Sequence, residues 1–363
     1  MSIDDILAIE VRPAPLLSPV HAEYRIGVVG LGRFVTNSVL PSYRQYGLNV
    51  VAAADPDPVA RERARVRFGI ERLYENYDQL LESEELDVLD INLRWDRGMS
   101  DQRVDAVAKA AARGVHVLMA KPMAATLAQC EAIVASAKAA GVRLAINQNS
   151  RFGPAMHACR RYIEEGAIGP VVSAAIAWNA ARGVQHDPGF DAFHDVTVHQ
   201  TDILLSWFDR LPETVFADQS RISQHGSVVN AIMRFDDGSS GSIRDDFVTD
   251  HLRRWDFSVA GETGSIDGVE DIEIPEVGQP RMQRSSIRVA SHERPGVFTE
   301  IPLPYRYTPE AYYLTMADLL SSIADDREPW ASGENVLRTM RTLIAMEQSC
   351  ATGAPVRPAD LLP

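Results

Sequence analysis

The sequence predicts an α/β protein of two domains: an N-terminal doubly wound parallel sheet, followed by an α+β domain built on an open, largely antiparallel sheet. Across residues 25–147, short apolar runs rich in β-branched side chains alternate with helical stretches that stop on glycine, as right-handed βαβ crossovers require. Residues 214–301 instead form alternating or apolar runs broken by tight turns such as Asp236-Asp237-Gly238, the texture of antiparallel strands. A chain of 363 residues is also too long for one ordinary core and suits two. The expected division is an arm over 1–24, a first domain over 25–147 and a second over 148–363.

Taken in order, residues 11–20 contain three prolines and read as an extended arm. Residues 25–29 form the first strand and run into the glycine turn Gly30-Leu31-Gly32, and 49–54 form the second, ending on Asp55. Helical spacing covers 59–68 before Gly69, 77–83, 102–112 before Gly114, and 127–140 before Gly141; strands fall at 88–92, 115–119 and 143–146. Beyond Arg151, helices are expected at 155–165, 195–208, 309–325 and 333–351, with strands between 214 and 301 such as 228–235 and 242–248.

The bulk composition limits the function. Hydrophobic residues at 45% and charged residues at 24% fit a globular chain, and a formal charge of −14 disfavours nucleic acid or an anionic membrane as partner. Cys130, Cys159 and Cys350 have no paired spacing, which argues for reduced thiols in a cytoplasmic protein. No apolar run is long enough for a membrane span, and the acidic start MSIDDILAIE lacks the marks of a signal peptide. A small-molecule substrate is the expected partner.

The chemistry begins at residues 24–35, YRIGVVGLGRFV. A strand, a glycine turn and a helix present unpaired backbone N–H groups that receive a pyrophosphate, so Gly30, Gly32, Arg33 and Phe34 are candidate cofactor contacts. Asp55 lies about twenty residues further on, where a carboxylate meets a ribose 2′-hydroxyl. It is followed by Pro56 and Asp57 with no adjacent arginine, which favours NAD over NADP. In such sheets ligands lie beyond the carboxyl ends of strands, which singles out Lys121 and Pro122 after the fifth strand, with residues 92–95 and 147–149. Lys121 there can donate to a substrate oxygen.

The segment HDPGFDAFHDVTVHQTD, residues 186–202, holds His186, Asp187, Asp191, His194, Asp195, His199 and Asp202. With a helix starting near Asp195, Asp195, His199 and Asp202 share a face, and a carboxylate one turn from an imidazole can orient it as a general base. Metal ligation by the same imidazoles and carboxylates is an alternative, although no tight His-x-x-x-His pair supports it; an N-capped helix with a partly buried histidine is the other. No metal is expected. Arg94, Arg97, Arg151, Trp178, Asn179 and Arg182 are candidates to line a substrate pocket, Arg151 foremost.

Together these segments resemble the family of glucose–fructose oxidoreductase and inositol dehydrogenase, from about residue 25 to at least 202. The marks are the glycine turn with Asp55, VHVLMAKPMA around Lys121 and Pro122, NSRFGPAM followed by EEGAIGPV, and DVTVHQTD. The resemblance implies a Rossmann nucleotide domain, hydride transfer to or from NAD at a hydroxyl or ketone of a sugar or cyclitol, and a homodimer or homotetramer. It implies that Lys121 contacts the reacting oxygen, Asp195 orients substrate or imidazole, and His199 exchanges the hydroxyl proton, so that Lys121 and His199 act together. The chain departs from the family pattern at Val35, Ala120 and Thr197, where Gly or Ala, Glu and Gly are usual, and it lacks the usual Thr-Pro-x-x-His segment after the fourth strand. Two other functions remain open: a non-catalytic sensor or scaffold of the same fold, and a metal-dependent hydrolase or lyase using the 186–202 cluster.

Overall fold

The structure, a computed structural model, describes residues 2–17, 22–179, 191–223, 226–248, 254–271 and 285–362. Contacts divide it into two units. One comprises Ala14–Asn149 with Pro309–Met340; the other comprises Met1–Pro13, Ser150–Thr308 and Arg341–Leu362.

The first unit is organised around β1 (Ile26–Val29), whose four residues are all buried. A parallel strand covered on both faces has no solvent side to alternate with, hence the unbroken apolar IGVV. With β2 (Val50–Ala54), β3 (Arg72–Tyr74), β4 (Val88–Ile91), β5 (His116–Ala120) and β6 (Leu144–Asn147), it forms a six-stranded sheet in the order β3-β2-β1-β4-β5-β6. Every pairing is parallel. The order reverses between β1 and β4, so their carboxyl ends flank the crevice where open α/β sheets bind ligands. The helix Leu127–Ala140 shows how sharply the sequence sets its ends: Thr126 and Gln129 make a capping box and Gly141 closes it.

The helix Glu310–Ala324, late in the chain, groups with this first unit. Tyr313 stacks on Tyr46 at 4.1 Å, the Tyr46 hydroxyl donates to Glu310 at 3.0 Å, and Tyr312 meets Phe34 edge-on. Further along, the carbonyl of Ala331 accepts from Ile146 N at 2.9 Å, extending the β6 edge.

The second unit holds an eight-stranded sheet of β7 (Val171–Asn179), β8 (Thr214–Ser223), β9 (Gly226–Arg234), β10 (Ser240–Asp246), β11 (Arg254–Gly261), β12 (Gly264–Asp271), β13 (Ser286–Ser291) and β14 (Phe298–Ile301). Their order is β14-β13-β12-β11-β7-β10-β9-β8, antiparallel throughout except for the parallel pair β7 and β10. The helices Pro154–Glu164 and Val198–Phe208 pack against the sheet. One face is concave and open, with a volume of about 990 Å³, and its lining includes Ile232, Arg244, Asp256, Arg288, Phe298 and Glu300.

Three expectations need correction. The first sheet has six strands where five were expected, because β3, three residues at its edge with none buried, forms no apolar run. The second sheet begins at β7, not at residue 214; its sequence VVSAAIAWN has few bulky side chains, so its period is faint. The proline-containing stretch is not simply extended. Short helices occupy Ile3–Leu7, where Ser2 and Asp5 form a capping box, and Ala14–Leu17. Proline is tolerated in a first helical turn, where its missing N–H has no partner to lose. No helix among the described residues is long and apolar enough to cross a membrane.

Candidate functional site

At the carboxyl edge of the first sheet, Gly30 has φ +86°, and a Cβ there would lie 2.3 Å from the Asn92 carbonyl oxygen, so the turn presses against the end of β4 as only glycine allows. Gly32 is the opposite case. A Cβ there would meet no described atom within 4 Å, and Gly32, Arg33 and Phe34 are all exposed. Asp55 braces this turn: Oδ2 accepts from Leu31 N at 2.6 Å and Oδ1 from Asp57 N at 2.8 Å. Arg61 is committed nearby, donating to the carbonyls of Asp55 and Pro56. An open glycine turn held by a carboxylate fits a dinucleotide, whose pyrophosphate needs close backbone approach. Val35 is buried inside a π-helical stretch, Val35–Val39, so the chain takes a branched side chain here in a wider turn than the expected helix.

Beneath the edge, Asp90 of β4 is fully enclosed. Burial pushes its carboxyl up to about 7, while hydrogen bonds from Tyr43 Oη and Asn92 Nδ2 act in the opposite direction. Lys121 follows β5 half-buried, and the Lys121–Pro122 peptide is cis. The loop around it is held by a residue that sequence reasoning missed. Arg103, 2% exposed, donates through Nη1 to the carbonyls of Ala120 and Pro122, both at 2.7 Å, and through Nη2 to that of Leu93 at 2.5 Å. Burial lowers its pKa to about 10.

In the second unit the 186–202 segment is part-described, with His186 and Asp187, like Arg182, outside the described residues. From Ala192 to Thr197 it is a π-helix, and an α-helix follows from Val198 to Phe208. Asp191 caps it, Oδ1 accepting from Phe193 N and His194 N. Between Asp191 and Gln200 every residue is buried except Asp191, Asp195 and His199, so these two predicted residues share the segment's accessible side. Asp195 Oδ2 accepts from Asp191 N at 2.8 Å.

Asp202 does not share that accessible side. It is 1% exposed and ion-paired with Arg151, which donates through Nε to Oδ2 and through Nη2 to Oδ1 at 2.6 Å. His199 and Asp202 both lie in the α-helix Val198–Phe208, three residues apart, so it is the burial of the helix beyond its first turn, where Gln200 to Phe208 are all enclosed, that takes Asp202 out of reach. Arg151, itself 1% exposed, is therefore anchored in the core and is no solvated surface residue.

The hydrogen bond seen at His199 Nδ1 is with Ser150 Oγ, 3.2 Å away, and Ser150 Oγ is in turn 3.1 Å from Tyr307 Oη. When Nδ1–H donates to Ser150, Nε2 carries the lone pair and is the basic nitrogen. Sequence reasoning missed both hydroxyls. Ser150 precedes Arg151 in the NSRF connection and was within reach, but Tyr307 is too remote in sequence to signal itself.

Other candidates scatter. Arg94 and Arg97 are exposed; Trp178 is buried against Trp255; Asn179 bonds Asp256 and Arg244. Thr197 donates to the buried Asp245, whose carboxyl is raised by burial to about 7. Asp191, His194 and Glu347 bring one ligand atom each within 4.8 Å of one another.

Comparison with known proteins yields two family models. One, described as the GFO/IDH/MocA oxidoreductase family with an NAD-binding Rossmann fold, matches residues 24–148; the other, the C-terminal domain of that family, matches 156–267. D-apiose dehydrogenase of Paraburkholderia graminis is 27% identical, the alignment covering 92% of this chain and 89% of the relative. The scyllo-inositol 2-dehydrogenase (NAD(+)) of Bacillus subtilis is 23% identical over 92% of this chain and 96% of its own. Among solved structures, an oxidoreductase from Agrobacterium radiobacter in complex with NAD+, L-tartaric acid and magnesium superposes with a TM-score of 0.80 at 20% identity, covering 94% of this chain and 100% of that one.

Proposed function

Because the chain belongs to the GFO/IDH/MocA family of NAD(P)-dependent sugar and cyclitol oxidoreductases, we propose that it is an NAD-dependent dehydrogenase or reductase acting on a hydroxyl or ketone carbon of a sugar, cyclitol or similar polyhydroxylated compound. The observation that supports this most is the glycine turn at the end of β1, open at Gly32 and braced by Asp55. The polyhydroxylated substrates named for the D-apiose and scyllo-inositol dehydrogenases support the substrate class.

Gly30, Gly32, Arg33 and Phe34 would hold the pyrophosphate side of the cofactor, and Asp55 would meet the ribose hydroxyls. The bound nicotinamide supplies the hydride acceptor or donor. In the oxidation direction His199 takes the hydroxyl proton on Nε2 as the carbon loses hydride, in the tautomer whose Nδ1–H donates to Ser150 Oγ, 3.2 Å away. Lys121 donates to the reacting oxygen and stabilises negative charge developing there. Asp195, on the accessible side with His199, orients substrate or imidazole.

A panel of sugars and cyclitols, followed by nicotinamide absorbance, identifies the substrate. His199→Ala should then lower turnover by roughly 10²–10⁴-fold with NAD affinity preserved, Lys121→Met should do likewise, and the double variant should fall far short of the product of the two losses. Near-normal turnover in both single variants overturns the mechanism. A metal-dependent hydrolase or lyase is the second reading, favoured by the meeting of Asp191, His194 and Glu347. Stoichiometric metal in purified protein that binds no nicotinamide nucleotide would select it.

A further inference from the structure

Arg103 lies in the helix Ser100–Ala112 among buried Ala106, Val107, Ala110 and Ala111, where an apolar side chain would fill the same space. A guanidinium in such a place is costly unless its N–H groups are met. Here the acceptors are main-chain carbonyls at the carboxyl end of β5 and in the loops that follow β4 and β5. Those of Ala120 and Pro122 flank Lys121 on either side and converge on the single nitrogen Nη1, while Leu93 takes Nη2. The Trp95 ring lies 5.7 Å from the same guanidinium. Residue 120 is alanine, so the strand end has no side-chain anchor of its own, and the main chain around Lys121 is held from the helix instead. A planar fork can meet three carbonyls at fixed angles, which a lysine ammonium on a flexible stem cannot reproduce.

We propose that Arg103 is a positioning residue: by gripping the carbonyls of Ala120 and Pro122 together with that of Leu93, it fixes the direction in which Lys121 is presented and locks the loop after β4 to the loop after β5. The proposal rests on the reading of Lys121 as the donor to the reacting oxygen.

Its test uses the full chain in four forms: Arg103→Met, Arg103→Lys, Lys121→Met, and Arg103→Met combined with Lys121→Met. A misplaced donor loses transition-state contact more than ground-state binding, so Arg103→Met should lower kcat by about 10–100-fold while the NAD dissociation constant moves by less than about threefold. Arg103→Lys, which keeps the charge and supports folding if the Met variant fails, should fall between it and wild type. In the Lys121→Met background, adding Arg103→Met should change kcat by less than about twofold, because a residue acting through Lys121 has nothing left to position. A further loss as large as in the wild-type background would mean a merely structural role and overturns the proposal.

Hydrogen exchange of the unliganded protein supplies a readout independent of activity. Amides in residues 93–96 and 119–124 should exchange at least about tenfold faster in Arg103→Met, with those of 58–68 and 127–140 unchanged. Unchanged exchange in the two loops also overturns it. If Lys121→Met alone keeps full turnover, the role given to Lys121 fails, and the exchange experiment still decides whether Arg103 holds the loops.

Discussion

Asp202→Asn is the substitution whose cost follows most directly from the structure. Asp202 and Arg151 have side chains 1% and 0% exposed and form a two-pronged ion pair. Asparagine keeps the shape but leaves a permanently charged guanidinium facing a neutral amide with one acceptor oxygen. Breaking a buried pair by removing one partner costs about 3–5 kcal/mol, whereas replacing both by apolar groups of similar volume is often neutral or stabilising. Arg151→Met combined with Asp202→Leu should therefore be more stable than Asp202→Asn alone.

Urea unfolding followed by tryptophan fluorescence reports on this unit, since Trp178, Trp207 and Trp255 are all buried in it. With a urea slope of about 2–3 kcal/mol per molar, the single variant should shift the midpoint down by roughly 1–2.5 M. Turnover should suffer too, because Arg151 adjoins Ser150 and Asp202 lies on the helix of His199, so the pair supports their hydrogen bond. A loss below about 1 kcal/mol for Asp202→Asn, or a double variant less stable than the single, would refute this reasoning and reopen Arg151 as a substrate contact.

Calorimetry should show NAD binding at least about tenfold tighter than NADP, since a 2′-phosphate would meet Asp55 and Asp57 while Arg61 is committed to backbone carbonyls; tighter NADP binding counts against it. Light scattering should give a homodimer or homotetramer assembled through the open sheet face. There Ile232 is 51% exposed, and Ile232→Asp should release monomer; a monomeric wild type removes the idea. Glu270, whose carboxylate accepts from Ala155 N and Ser285 Oγ, is raised by burial from 4.5 to about 8. The native state keeps a proton that the unfolded chain gives up, so this group lowers stability as pH climbs from about 4 to about 8. Glu270→Gln cannot ionise, and its melting temperature should gain on wild type as pH rises from about 4 to about 8; a gain that does not grow with pH contradicts the assignment.

Five of the six parallel strands were legible because they are largely buried and several helices between them stop at glycine, so apolar runs and stops mark elements without help from distant contacts, whereas β3, with no buried residue, left no such mark. The helix 127–140 matches the expected limits for that reason. The helix Glu310–Ala324 was equally readable as a helix, but its packing against Tyr46 and Phe34 was not, since order along the chain says nothing about which core a late helix joins. β7 escaped because small side chains blur its period, although it sits in the middle of the second sheet.

At the candidate site the residues that could be read are those whose chemistry is local: the glycine turn, the acid after β2, the lysine after β5 and the histidine within the Asp-rich segment. The supporting polar groups could not be read in the same way. The ion pair of Arg151 and Asp202 joins residues 51 apart, and helical spacing cannot tell that the helix is enclosed from Gln200 onward, which buries Asp202 while His199 stays accessible. The hydroxyls of Ser150 and Tyr307 leave no periodic trace. Arg103 was missed as well, although it did leave a signal: it stands three, four and seven residues before Ala106, Val107 and Ala110, a cation on the buried stripe of an alanine-rich helix. A charge placed where the pattern demands an apolar side chain must have acceptors in the fold. Such a conflict between local pattern and residue type is expected where a chain gives up packing to hold a functional loop.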